Sequence, residues 1–212
     1  MTNVVPTART SRTYSTRNSS TINSSGRFSS ARAARSPIRP GAGEDLLARS
    51  TPTRLRPADL LRLTDQGAAE VIDGRHDHLL PETWDPIDRW STRLYSDDEF
   101  DVWLISWTPD RRTELHDHAG SIGSLTVLSG SLIEYRWTGS ALRSRELHEG
   151  DQASFPLGWV HDVMASPVTP AAPAPTLSVH AYSPPLTAMS YYELNGPHTL
   201  RRTRTELTDQ PE

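Results

Sequence analysis

From Arg93 onward the chain breaks into short runs of β-forming residues, and this punctuation limits the possible folds more than any other feature. The runs are Arg93–Tyr95, Val102–Thr108, Ser124–Ser129, Leu132–Trp137, Ala153–Phe155, Leu177–Tyr182 and Met189–Leu194. Gly, Pro, Asp or Ser fills nearly every gap, as in Pro109-Asp110, Gly130, Gly139, Gly150-Asp151 and Pro156-x-Gly158. Runs this short, separated by residues that turn the backbone, predict a small β-barrel or sandwich. Only one helix is expected ahead of them. Pro57–Ile72 carries Leu60, Leu61, Leu63, Ala68, Val71 and Ile72 close to a single helical stripe, with Pro57 suited to a first turn and Gly74 to a stop. Ser166–Pro175, with four prolines, reads as a loop between strands.

The 212 residues leave room for one such domain and a tail. Residues 1–45 hold seven Arg against Glu44 and Asp45, which makes that stretch +5; with −4 for the whole chain, the remainder is −9. So few large apolar side chains cannot offset the entropy of ordering, and residues 1–50 are expected to be a disordered Ser/Thr/Arg-rich tail. Its composition fits an idle extension or an organellar transit peptide. It contains no apolar stretch of about 7–15 residues that would direct secretion, so a cytoplasmic location is expected. Residues 51–200 are left for the folded domain. Residues 201–212, with Arg201, Arg202 and Arg204, are expected to be a polar tail. The net charge offers no overall attraction to nucleic acid or anionic lipid, and no apolar run approaches the ~18 residues of a membrane span. The absence of Cys excludes disulfides, cysteine-ligated zinc and a cysteine nucleophile.

The chemistry concentrates in eight histidines. Two pairs have His-x-His spacing, which on a strand aims both imidazoles to one face and toward one ion. His76 and His78 lie beside Gly74 and Pro81 with no strand pattern, and read as a surface loop. His116 and His118 follow an alternating run and precede two more β-like segments. A third imidazole, His161, ends Gly150-x5-Pro156-x-Gly158-x2-His161, a turn, strand and tight turn that places it where the next strand begins. Three imidazoles suit zinc with an open position as well as iron(II), and N-donor affinity does not separate the two.

Together, His116-x-His118-x4-Gly123-x6-Gly130 and Gly150-x5-Pro156-x-Gly158-x2-His161 resemble the paired motifs of the cupin superfamily. Gly123 stands where the first motif usually carries a Glu ligand, and Ala165 where the second usually ends in Asn. A ligand set reduced to three imidazoles is similar to that of the thiol dioxygenases, typified by cysteine dioxygenase. Ser178-Val-His180-Ala-Tyr182-Ser183-Pro184-Pro185 looks like that family's Ser-x-His-x-Tyr relay and Ser-Pro-Pro turn; the turn suggests a cis Ser183–Pro184 bond, and the sequence leaves the isomer open. Arg93, 23 residues before His116, matches the arginine that receives the substrate carboxylate. Gly123 also holds the slot of the cysteine that animal members crosslink to the relay tyrosine, so this chain resembles the bacterial type without the crosslink.

The resemblance implies a mainly β protein, a single cupin jelly-roll barrel with an N-terminal helix. It implies an iron(II)-dependent dioxygenase, with His116, His118 and His161 holding the metal and Arg93 holding the substrate. Tyr182 is then the proton donor at the reacting centre, oriented by His180 and Ser178. The implied substrates are O2 and a small thiol, L-cysteine first, giving cysteine sulfinate by transfer of both oxygen atoms to sulfur. Such members are often monomeric. Alternatives are a dioxygenase for another thiol carboxylate such as 3-mercaptopropionate, a non-catalytic metal-binding cupin sensor, or a zinc isomerase or hydrolase on the same barrel. Plainer readings of single residues also exist. Arg93 can pair with the acidic run Asp97-Asp98-Glu99, Tyr182 and His180 can be buried strand residues, and Trp103, Trp107, Trp137 and Trp159 can be core or pocket wall. His148 and His198 are expected to be solvated.

Overall fold

Pro57–Ile72 forms helix α1, the span that its apolar spacing predicts. Pro57 opens it without losing a helical hydrogen bond, because first-turn N–H groups have no helical acceptor. Asp59 accepts from the Arg56 N–H at 3.1 Å and supplies the missing partner. In the computed structural model, residues 55–109, 111–166, 175–196 and 198–211 are described. The tail expected over 1–50 and residues 167–174 of the expected loop lie outside them.

Among the described residues, eleven strands follow the helix and a short 3-10 turn at Asp77–Leu79. They are β1 (Ser91–Ser96), β2 (Asp101–Trp107), β3 (His116–Asp117), β4 (Ile122–Ser129), β5 (Ser131–Trp137), β6 (Leu142–His148), β7 (Gln152–Phe155), β8 (His161–Ala165), β9 (Thr176–Ser183), β10 (Ala188–Leu194) and β11 (Leu200–Leu207). They make two antiparallel sheets, ordered β1-β2-β9-β4-β7 and β11-β10-β3-β8-β5-β6. The fold is the mainly β, double-sheeted cupin architecture expected.

Strand alternation divides the core in two. On β2, Trp103, Ile105 and Trp107 face the opposite sheet and join Leu125, Leu132, Val163, Met189 and Tyr191 in the barrel interior. Val102 and Leu104 face outward and meet Leu60 and Ala68 of α1, with Val179 and Ala181 of β9. Both faces of β2 are therefore covered, and all seven of its residues are buried. That explains why its sequence reads as one apolar run rather than an alternation. Gly67 lets the helix approach this closely: a Cβ there would sit 3.0 Å from Val179 Cγ1.

Three strands are not legible as strands in the sequence, and the shortest, β3, is only two residues long. β6 (LRSRELH) is an edge strand with most residues exposed, so backbone pairing to β5 holds it rather than an apolar face. The expected polar tail at 201–212 is corrected in the same way. Leu200–Leu207 pairs with β10 from Leu194 back to Ala188, and its polar composition reflects an outer strand with little to bury. The Ser183–Pro184 bond after β9 is cis. Among the described residues, no helix is long and apolar enough to cross a membrane.

Candidate metal centre

The strands bring the three patterned histidines together. His116 opens β3 and lies directly across from His161, the first residue of β8. His118 follows β3 in a turn where Asp117 Oδ1 accepts from the Ala119 N–H at 2.9 Å. Ala119 takes a left-handed φ of 48°, a conformation costly for a residue with a Cβ, immediately behind the histidine. Ring centroids are 4.7 Å apart for His116 and His161, 5.1 Å for His116 and His118, and 5.2 Å for His118 and His161. One ligand nitrogen from each lies within 4.8 Å of the others, and all three residues are buried. His76 and His78 are elsewhere, as expected: His76 rests 3.3 Å from Glu70 of α1, and His78 is exposed.

The hydrogen bonds fit this cluster to a metal ion. The Nδ1–H of His116 donates to the Glu114 carbonyl at 2.8 Å, and that of His161 to Glu134 Oε1 at 3.1 Å. Both acceptors lack a proton, so the lone pair of each ring sits on Nε2. His161 Nε2 is buried with no hydrogen-bond partner, an orphan that a cation would satisfy. Burial, reinforced by the neighbouring imidazoles, holds the His116 and His118 pKa values well below the ordinary histidine range. Neutral imidazoles are what a divalent ion requires.

Behind the ligands lies a layer that sequence reasoning missed. Glu134 of β5 is fully buried and accepts from the His161 Nδ1–H, the Trp159 Nε1–H at 3.1 Å and the Arg145 Nε–H at 2.6 Å. Desolvation pushes its carboxyl up, but His161, Arg145 and Trp159 together outweigh that and bring it down to about 2. Its signal was available: Glu134 is two residues from the core residue Leu132, a charge where the alternation asks for an apolar side chain. Arg204, expected in a solvated tail, sits 3.7 Å over the Tyr191 ring and binds both oxygens of Glu114 at 2.9 and 2.7 Å. It thereby braces the loop whose carbonyl orients His116.

Ser178, His180 and Tyr182 share the inner face of β9 and form a continuous chain. Ser178 Oγ is 2.9 Å from His180 Nε2, and His180 Nδ1 is 3.1 Å from the Tyr182 hydroxyl. Trp107, read as pocket wall, also donates its Nε1–H to Ser178 Oγ at 2.8 Å. Indole only donates, so the direction that uses every group runs from Ser178 O–H to His180 Nε2, then from His180 Nδ1–H to the Tyr182 oxygen. The Tyr182 proton is then not used by the relay, and the His118 ring lies close by, its centroid 4.9 Å from that of Tyr182. Desolvation, reinforced by the neighbouring His161 and Arg89, lowers His180 to about 3, and desolvation with Asp101 raises Tyr182. Both are neutral near pH 7.

Gly123 faces the same phenol. A Cβ there would lie 3.0 Å from Phe155 and 3.1 Å from Tyr182 Cδ1 and Cε1. Arg93 pairs in register with Trp103, which pairs with His180, so its side chain starts on the inner face. Its guanidinium stacks 4.5 Å over Trp103. Its ion-pair partner is Asp209, rather than the acidic run 97–99. Beside it Asp101 is buried, near enough to Trp103 and Arg93 for both to lower its pKa, yet desolvation prevails and raises it. Arg89, not singled out from the sequence, lies 4.0 Å over Trp107 and acts electrostatically on His116, His180 and Tyr182.

Residues 82–195 match the family model described as cysteine dioxygenase type I. Among solved structures, the chain is similar to an uncharacterized protein with a double-stranded beta-helix domain from Klebsiella pneumoniae subsp. pneumoniae MGH 78578. That match has 19% identity and a TM-score of 0.40, covering 57% of this chain and 90% of that one. It is also similar to a sugar phosphate isomerase from a cupin superfamily from Silicibacter pomeroyi, at 21% identity and a TM-score of 0.40, covering 54% and 76%. KdgF from Halomonas sp. matches at 15% identity and a TM-score of 0.39, covering 49% and 88%.

Proposed function

The chain belongs to the cysteine dioxygenase type I family, and from that membership we propose that it is an iron(II)-dependent thiol dioxygenase acting on L-cysteine. The reaction is cysteine plus O2 giving cysteine sulfinate: two sulfur–oxygen bonds form, the O–O bond breaks, and sulfur loses the four electrons that O2 gains. One observation carries this reading. Three buried imidazoles converge with no carboxylate among them, beside a phenol held by a buried Ser-His relay.

A ferrous ion held by His116, His118 and His161 supplies open coordination positions and the redox chemistry of oxygen insertion. The protein's own groups do the rest. Arg93 binds the substrate carboxylate through its fork of N–H donors, a geometry lysine does not reproduce. Tyr182 keeps its proton on the phenol oxygen, because burial opposes its loss, and presents it at the reacting sulfur and oxygen. His180 and Ser178 hold that hydroxyl in one direction, and Trp107 fixes the sense of the relay. Phe155, 4.3 Å from His161 between ring centroids, helps to exclude water from the centre.

The test is anaerobic loading of the full-length chain with Fe(II), followed by O2 uptake with cysteine and with 3-mercaptopropionate. Uptake with cysteine, one O2 per sulfinate formed, is expected. Preference for 3-mercaptopropionate would reassign the substrate, and uptake with neither thiol despite bound iron would replace the enzyme by a metal-binding sensor.

A further inference from the structure

The segment after β11 does not leave the barrel. The Thr208 N–H donates to the Thr187 carbonyl at 3.1 Å, extending the pairing with β10. Thr208 Oγ1 then closes a tight turn, donating to the Gln210 carbonyl at 3.0 Å and accepting from the Gln210 N–H at 3.1 Å. The turn sends Asp209 back across the sheet edge onto Arg93. Both the Asp209 carbonyl, at 2.9 Å, and its carboxylate Oδ2, at 3.1 Å, accept from the same Arg93 nitrogen. Two residues on, Pro211 is buried in the wall of a cleft of about 350 Å³ shared with Arg89, Ser91 and Ile105. Ile105 belongs to the barrel interior, so the segment lies at a mouth of the barrel.

We propose that Asp209 is a specificity-determining residue: a tethered carboxylate that competes with the substrate's carboxylate for Arg93. This rests on the reading of Arg93 given above. The two carboxylates are chemically equivalent and seek the same donors. Substrate binds in full only while Asp209 is off, so its apparent affinity is reduced by the fraction of time Arg93 is released. The competitor is weak by construction. Its side chain is 73% exposed and that of Arg93 37%, so the carboxylate's share of the tether, beside the backbone carbonyl contact, is an exposed ion pair whose hold corresponds to at most about a fivefold effect. The competition narrows the preference for carboxylates rather than sharpening it. Thiols without a carboxylate gain nothing from Arg93 and leave Asp209 in place, whereas a carboxylated thiol exchanges one anion for another.

The experiment uses the full-length chain, with and without ferrous ion. L-serine, which has the carboxylate of cysteine but no thiol, and L-serinamide, which lacks the carboxylate, are titrated and followed by the NMR shift of the Arg93 Nε–H. Asp209→Asn is expected to bind L-serine about three- to fivefold more tightly and L-serinamide unchanged. Asp209→Glu, which keeps the charge, is expected to return the affinity toward that of the unaltered protein. In Arg93→Gln, binding followed by calorimetry is expected to weaken for L-serine, and the gain from Asp209→Asn is expected to vanish. With iron loaded, the KM for cysteine falls in Asp209→Asn while that for cysteamine does not. An unchanged L-serine affinity, an equal gain for both probes, or a gain that survives in Arg93→Gln would overturn the proposal. L-serine binding needs no turnover, so absence of O2 uptake would remove the dioxygenase reading and leave the competition standing.

Discussion

Replacing Glu134 by alanine removes one side chain and orphans three donors: the Nδ1–H of His161, the indole N–H of Trp159 and the Nε–H of Arg145. Arg145, with 43% of its side chain exposed, can turn to water, so its loss is small. His161 is buried and Trp159 partly buried, and each such donor left without an acceptor costs about 1–3 kcal/mol. The expected loss of folding stability is therefore roughly 4 kcal/mol, a large part of the 5–15 kcal/mol typical of a domain. The second consequence is specific to the metal. Without its acceptor the His161 ring is free to rotate, and loss of such a partner lowers metal affinity by about 10–100-fold. Glu134→Gln separates the two effects. One carboxamide oxygen can serve both His161 and Trp159, because both use Oε1, while its NH2 faces only Arg145. That variant is expected to lose about 1 kcal/mol and to sit at the mild end of the affinity range. Urea denaturation gives the first quantity and competition with a chromophoric chelator the second. A folded Glu134→Ala protein whose iron affinity stays within about twofold of the original would refute the orienting role.

Three further outcomes are expected. His161→Ala should abolish iron retention and His78→Ala leave it unchanged, as read by metal analysis after desalting; the reverse would place the metal at the His76/His78 pair. Trp107→Phe removes the donor that sets the sense of the relay, so turnover should slow by about tenfold with normal iron content, and unaltered kcat would detach the indole from the mechanism. Asp101 has a folded pKa raised by desolvation above its unfolded value. Its contribution is thus fully present below the unfolded pKa and is lost as pH rises through the folded one. Asp101→Asn cannot ionise, so its stability advantage over the unaltered protein should grow from pH 4 to pH 7 in denaturant melts; a constant or shrinking gap would contradict the sign.

The sequence alone determined the helix and the candidate metal-binding histidines. An apolar stripe bounded by Pro57 and Gly74, and a strand beginning at His161 behind a Gly-rich turn, are local statements, because helical period and turn preference act over a few residues. The same locality made Ser178, His180 and Tyr182 legible as one face of β9. Only the tertiary structure decided what stands behind and in front of them. Glu134 reaches His161 from 27 residues away, Trp107 reaches Ser178 from 71, and Arg204 and Asp209 reach Glu114 and Arg93 from 90 and 116. Such partners satisfy buried or half-buried polar groups across strands, and nothing in their own neighbourhood announces it. β11 shows the reason most clearly. Its side chains bury almost nothing and so carry no apolar signature, yet its backbone pairing with β10 is what delivers one arginine to Glu114, beside His116, and one carboxylate to Arg93.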